Sequence, residues 1–172
     1  MKTNQVIDTI LSRRSVRSFN GEPVCHEDME TIVECGRWAP SAHNRQGWCF
    51  VAVEKQESIQ RLAQAVGAAL GRDGYDMYHP AAIVIVGHAQ DAPFGREDDG
   101  CALQNMFLAA HSLGIGSVWI NQLQGMESDP AIKAELNRLG LPAGYEVHGV
   151  CALGYQKRSA SVPARTSDVV WA

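Results

Sequence analysis

Arg13, Ser15 and Arg17 occupy alternate positions in the run Arg13-Arg14-Ser15-Val16-Arg17. If that run is extended, side chains at i, i+2 and i+4 share one face, so two guanidinium forks flank a hydroxyl. Such forks match phosphate oxygens two at a time, and the hydroxyl can fill a third acceptor position. The run is a candidate phosphate receptor, set against the plainer reading of a solvated basic stretch. Arg165, far along the chain, could join it. A second group is the loop Pro40-Ser41-Ala42-His43-Asn44-Arg45-Gln46. Its Ser41, Asn44 and Gln46 side chains both donate and accept hydrogen bonds, which is what a heterocycle with alternating N–H and C=O edges requires. The same residue types also build ordinary turns. The third stretch is Gly116-Ser117-Val118-Trp119-Ile120-Asn121-Gln122, where small residues allow close backbone approach and Trp119 offers a flat apolar surface. It reads equally as a plain core strand.

The elements that must position these groups follow from periodicity. Val6, Ile7, Ile10 and Leu11 recur at helical spacing and predict a helix to about residue 12. His26 to Arg37 reads as a second helix, and Pro40 makes the polar segment after it a structured loop feeding a strand from Trp48 to Val53. A helix is expected over Ser58–Leu70, and Ala81 to Gly87 is an apolar, β-branched run suited to a strand covered on both faces. Ala92 to Gly100 reads as polar and turn-rich, with Asp98 or Asp99 capping a helix over Cys101–Leu113. Ser117–Ile120 is the third strand. Asp129-Pro130 opens a helix that ends near Gly140, and Tyr145–Leu153 is the fourth strand. Leu113-Gly114-Ile115-Gly116 follows a helix and opens a strand, the reverse of a dinucleotide fingerprint.

The 172 residues suit one domain, with 45% hydrophobic and 20% charged residues. A net charge of −4 and a pI near 5.8 argue against a nucleic-acid binder, so the local arginine cluster fits a small anion better than a polyanion. No run approaches the ~18 apolar residues of a membrane span, and the N-terminus lacks a signal peptide's apolar core, so a cytoplasmic protein is expected. The five scattered cysteines suit reduced, mostly buried thiols. Cys25, His26, His43 and Cys49 match no metal-ligand spacing, and no metal site is expected. The apolar terminus Val169-Val170-Trp171 follows a tail with no periodicity of its own, and burial on another subunit would cover it.

Taken together, these stretches resemble the nitroreductase family of flavin mononucleotide (FMN) oxidoreductases. The resemblance rests on Arg13 to Arg17, on Trp38 to Trp48, on Gln104 to Ala110 with Leu113 to Ile120, and on Leu153-Gly154-Tyr155. It implies an α+β fold, a single domain over 1–172, with a mainly antiparallel central sheet flanked by helices. It also implies a homodimer whose C-terminal tails are exchanged, each adding a strand to the partner's sheet. On the family pattern Arg13, Ser15 and Arg165 hold the FMN phosphate. Arg14 belongs to the same cofactor-binding run, and Arg17 lies beside the pyrimidine edge of the ring, where a cation stabilises charge at N1 of reduced flavin. Ser41 and Asn44 come from the partner, Pro40, Ala42 and Gln46 belong to the same cofactor-binding loop, and backbone around Trp119, Ile120, Asn121 and Gln122 faces the ring near N5. No dedicated catalytic side chain is expected, His43 being the nearest candidate. The implied activity takes hydride from NAD(P)H and passes electrons to a nitroaromatic, quinone or similar small acceptor. The alternatives are a flavin-storage protein without turnover and a specialised flavin-destroying or dehalogenating member. Two departures stand out: Gly47 where the family usually has Pro, and Asp73-Gly74-Tyr75-Asp76 where larger members carry Asn and Lys.

Overall fold

A computed structural model describes residues 2–160, 162 and 164–172. Four strands, β1 (Trp48–Val53), β2 (Ala82–Ala89), β3 (Gly116–Ile120) and β4 (Tyr145–Gly154), form one sheet in the order β1-β2-β4-β3. Every pairing is antiparallel. Because side chains alternate across a strand, β2 feeds two cores at once. Ile83 and Ile85 pack with Ile59, Leu62 and Val66 of α3 (Gln56–Leu70) and with Ile132 and Leu136 of α5 (Pro130–Leu139). Val84 and Val86 face the other way, onto Met29 and Ile32 of α2 (His26–Arg37) and Leu103, Met106 and Ala110 of α4 (Gly95–Ser112). The apolar run read as a strand covered on both faces is that strand.

Local signals set several boundaries as expected. The Asp129 carboxylate accepts from Ala131 N and Ile132 N, Pro130 opens α5, and Gly140 ends it with φ of 96°, a left-handed conformation that favours glycine. The short helix α1 (Gln5–Ser12) is capped by Asn4, which accepts from Ile7 N. Its apolar residues Val6, Ile10 and Leu11 remain exposed.

Two expectations are overturned. Of the five cysteines only Cys151, on β4, is buried, while Cys25 and Cys101 are exposed because they sit at the solvent side of a helix cap and of α4. The long helix begins at Gly95, not Cys101, so Ala92 to Gly100 is not a turn-rich linker throughout, and neither Asp98 nor Asp99 is its cap. Both acids lie inside the first turns, buried. Carboxylates are favourable at a helix N-terminus, and here each finds buried partners from distant segments, described below. Their polarity serves the interior and does not mark a cap.

Candidate functional site

The run 13–17 lies along the outer edge of β3. Ser15 bridges Ser117 in parallel, and Val16 N donates to Ser117 O at 2.9 Å. Val16 is buried, and a Cβ on Gly116 would lie 2.9 Å from its Cγ2, so the glycine permits this close approach. Counting from Ser15 opposite Ser117 places Arg13 beside Ile115 and Arg17 beside Trp119. At ~3.3 Å per residue the two arginines stand about 13 Å apart along the strand.

Around Arg13 positive charge accumulates. Its guanidinium sits 5.7 Å from the centroid of Phe107, which in turn packs at 6.2 Å against Trp119. Burial holds its pKa below the usual arginine value, and the neighbouring Arg14 and Arg165 push the same way. Among the described residues, no acid pairs with Arg13, Arg14 or Arg165. Arg14 takes the opposite face of the run, donating from Nη1 to Leu11 O and Arg13 O at 2.6 and 2.7 Å. Arg13 and Arg14 line a cavity of about 340 Å³ with Ser12, His111, Ser117 and Gln156. Two polar atoms there, Arg14 Nε and Ser117 Oγ, are buried with no hydrogen-bond partner among the described residues. Burial, then Arg13 and Arg14, keep the His111 imidazole below its ordinary pKa. The structure thus divides the predicted receptor face: Arg13 reaches the cavity together with Arg14, while Ser15 and Arg17 lie outside it.

The second predicted group is ordered by its own bonds. Ala42–Asn44 forms a single 3-10 turn. Gln46 N donates to Ser41 Oγ at 3.0 Å, and Gln46 Nε2 donates to Asn44 Oδ1 at 2.8 Å. Ala42 N donates to Asp98 Oδ1 at 2.8 Å, tying the loop to α4. His43, Asn44 and Gln46 all have φ near +50°, conformations that cost non-glycine residues on the order of 1–3 kcal/mol each. The anchoring bonds offset that strain.

Within one chain the loop and the arginine run are not brought together. Pro40 to Gln46 leads into β1, at one edge of the sheet, whereas 13–17 flanks β3, at the other. Four spacings of ~4.8 Å separate the two edges, roughly 19 Å. In the third stretch the Ile120 side chain is buried in the core, so only backbone is offered there. Asn121 N donates to Gln122 Oε1 at 3.1 Å, and Trp119 lies over Gly149, where a Cβ would fall 2.5 Å from the indole Nε1.

Sequence reading missed one buried cluster. His88 Nδ1 lies 2.9 Å from Asp99 Oδ1, and His148 Nδ1 lies 2.7 Å from Asp99 Oδ2. Asp99 is wholly buried and His88 nearly so. Burial pushes the Asp99 carboxyl above its ordinary pKa, against the pull of the two imidazoles. The only sequence signal was a histidine closing the apolar run of β2. Gly47 belongs to this cluster too, since a Cβ there would lie 2.7 Å from His88 Nε2.

Fold and site together define an α+β protein with an arginine run lying along the edge of its antiparallel sheet. The chain belongs to the nitroreductase family, whose model matches residues 10–155. A solved nitroreductase with bound FMN from Bacteroides fragilis superposes with a TM-score of 0.86 at 36% identity, over 96% of each chain. Among curated proteins, an NADPH-flavin oxidoreductase of Vibrio harveyi is 32% identical over 94% of this chain and 70% of its own. An FMN reductase [NAD(P)H] of Bacillus subtilis is 27% identical over 97% of this chain and 72% of its own.

Proposed function

We propose that this protein is an FMN-dependent NAD(P)H oxidoreductase, one FMN-binding unit spanning 1–172, that works as a homodimer in the cytoplasm on a small acceptor such as a nitroaromatic or quinone. The observation that carries this reading is the unneutralised trio Arg13, Arg14 and Arg165 beside a cavity with an orphaned Ser117 Oγ. A terminal phosphate supplies the missing negative charge and acceptor oxygens. Arg13 and Arg165 bind it, with Arg14 reinforcing the positive field from the cavity; Ser15, outside that cavity, holds the run on β3 through its bridge to Ser117. The 13 Å run toward Trp119 matches the direction of an elongated ligand, with Arg17 at the pyrimidine edge and the backbone of Trp119 to Gln122 along the ring. Pro40, Ser41, Ala42, Asn44 and Gln46 reach the ligand from the partner subunit, because the sheet keeps them too far from Arg13 within one chain. Bound FMN supplies the chemistry, accepting hydride from NAD(P)H and passing electrons to the acceptor; the protein supplies position and electrostatics. The names of the flavin oxidoreductase and FMN reductase relatives support the same reading.

Purified protein is expected to release FMN on denaturation, and anaerobic mixing with NADH or NADPH is expected to bleach the bound flavin, with colour returning on addition of a quinone. Absence of FMN removes the reading. Flavin that neither nucleotide reduces makes this a storage protein.

Arg17 gives a second test. A fixed cation at the pyrimidine edge binds the anionic reduced flavin more tightly than the oxidised form, which raises the potential. A charge-assisted contact is worth roughly 1.5–3 kcal/mol. With ~30 mV per ~1.4 kcal/mol for two electrons, Arg17→Met is expected to lower the midpoint by roughly 30–65 mV. Equal midpoints in a redox titration at saturating FMN would place Arg17 elsewhere.

A further inference from the structure

We propose that the buried group His88–Asp99–His148 is a positioning centre that holds the loop 41–47 in its ligand-binding shape and locks it to the end of the sheet beside Trp119. The inference rests on the flavin reading above for what the loop binds, but its structural core stands apart from it.

The arrangement follows from four elements meeting at one end of the sheet. β2 ends there with His88, β4 begins there with Glu146, Val147 and His148, β1 starts there at Trp48, and α4 begins there with Gly95, Asp98 and Asp99. A register irregularity in the β2–β4 pairing, between Val86 and Gly87, leaves His148 without a partner across the ladder, and it turns onto Asp99. With Asp99 ionised, both imidazoles present Nδ1–H to its two oxygens, so one carboxylate joins strand β2 to strand β4. His148 also has Glu146 Oε2 at 3.7 Å from its Nε2.

The His88 ring transmits this to the loop. Its far nitrogen fills the space a Cβ of Gly47 would occupy, its base fills the corresponding space at Gly95, and Trp48 meets it edge-on at 6.4 Å. The adjacent acid, Asp98, takes the Ala42 amide. Consecutive carboxylates on α4 therefore hold both ends of a loop that contains three left-handed non-glycine residues. Without these anchors only the loop's internal bonds, Gln46 N to Ser41 Oγ and Gln46 Nε2 to Asn44 Oδ1, oppose the strain. Gly47 is thus a packing requirement of His88, and the residue that departs from the family pattern is explained by its neighbour.

The first test is hydrogen exchange of the protein itself. In Asp99→Asn the amides of 41–47 are expected to exchange at least tenfold faster, while core amides of β2 and β4 keep wild-type protection. FMN affinity is expected to fall at least tenfold, with turnover at saturating FMN within about twofold of wild type. The second test is a cycle between Gly47→Ala and His88→Ala, which keeps the question open to refutation if Asp99→Asn does not fold. Gly47→Ala is expected to speed loop exchange tenfold when His88 is present and to change nothing further in the His88→Ala background. Wild-type loop exchange in Asp99→Asn, or equal effects of Gly47→Ala in both backgrounds, overturns the proposal. Because exchange is read on the protein alone, these outcomes decide it even if the chain binds no flavin.

Discussion

A chain ending at Ser159 is expected to sediment as a monomer and to lose its flavin. The tail beyond that point carries no regular element among its described residues, and Val170 and Trp171 are 89% and 91% exposed. Burying a Val or larger apolar side chain is worth about 1.5–3 kcal/mol, so Val169, Val170 and Trp171 together represent several kcal/mol of association that one chain leaves unrealised. An apolar groove of about 1060 Å³ runs between α1, α2, α4 and β1, lined by Val6, Ile10, Met29, Val33 and Leu108, with Trp38 79% exposed at its side. Among the described residues Ser15 and Val16 engage the outer side of β3, whereas the side of β1 away from β2 has no strand against it. At ~1.4 kcal/mol per tenfold, losing the tail shifts dimer dissociation by orders of magnitude. Flavin is expected to go with it, because the truncation removes Arg165 and because the proposed site draws the loop 40–46 from the second subunit. Analytical ultracentrifugation and the flavin absorbance of the truncated protein check both halves; a folded, FMN-loaded dimer would sink the arrangement.

Arg13→Ala is expected to weaken FMN binding by roughly 1.5–3 kcal/mol, the scale of a charge-assisted hydrogen bond. At ~1.4 kcal/mol per tenfold this is about 10–150-fold in Kd. Arg13→Lys is expected to recover only part of it, because an ammonium keeps the charge but not the planar fork. A readout without flavin accompanies the titration. Arg13 helps hold the His111 imidazole below its ordinary pKa by repelling its charged form. Removing the guanidinium therefore raises that pKa, and NMR titration of the apoprotein should show His111 protonating at higher pH. Unchanged FMN affinity takes Arg13 out of the site, and an unmoved His111 places its side chain away from the cavity.

How far these outcomes were legible beforehand depends on the range of the interactions involved. The helix His26–Arg37, the strand Trp48–Val53 and the opening of α5 at Asp129-Pro130 are found where sequence reading puts them. Each is decided within a few residues, by periodicity, a cap or a proline. The arginine run reads as a candidate anion site from sequence because guanidinium chemistry is the same wherever the chain places it. Its division between two faces was not legible, since that depends on Ser15 meeting Ser117 across a hundred residues.

The start of α4 and the roles of Asp98 and Asp99 belong wholly to tertiary structure. Asp98 is satisfied by an amide 56 positions earlier, and Asp99 by histidines 11 and 49 positions away. A carboxylate reads as solvent-facing until such partners are known, because burial without them would cost several kcal/mol. By itself the sequence determined which chemistries this chain contains and most of the elements that carry them. Only the fold decided which of those groups share a surface, because a site is made by strand order and register, and these set distances that spacing along the chain does not record.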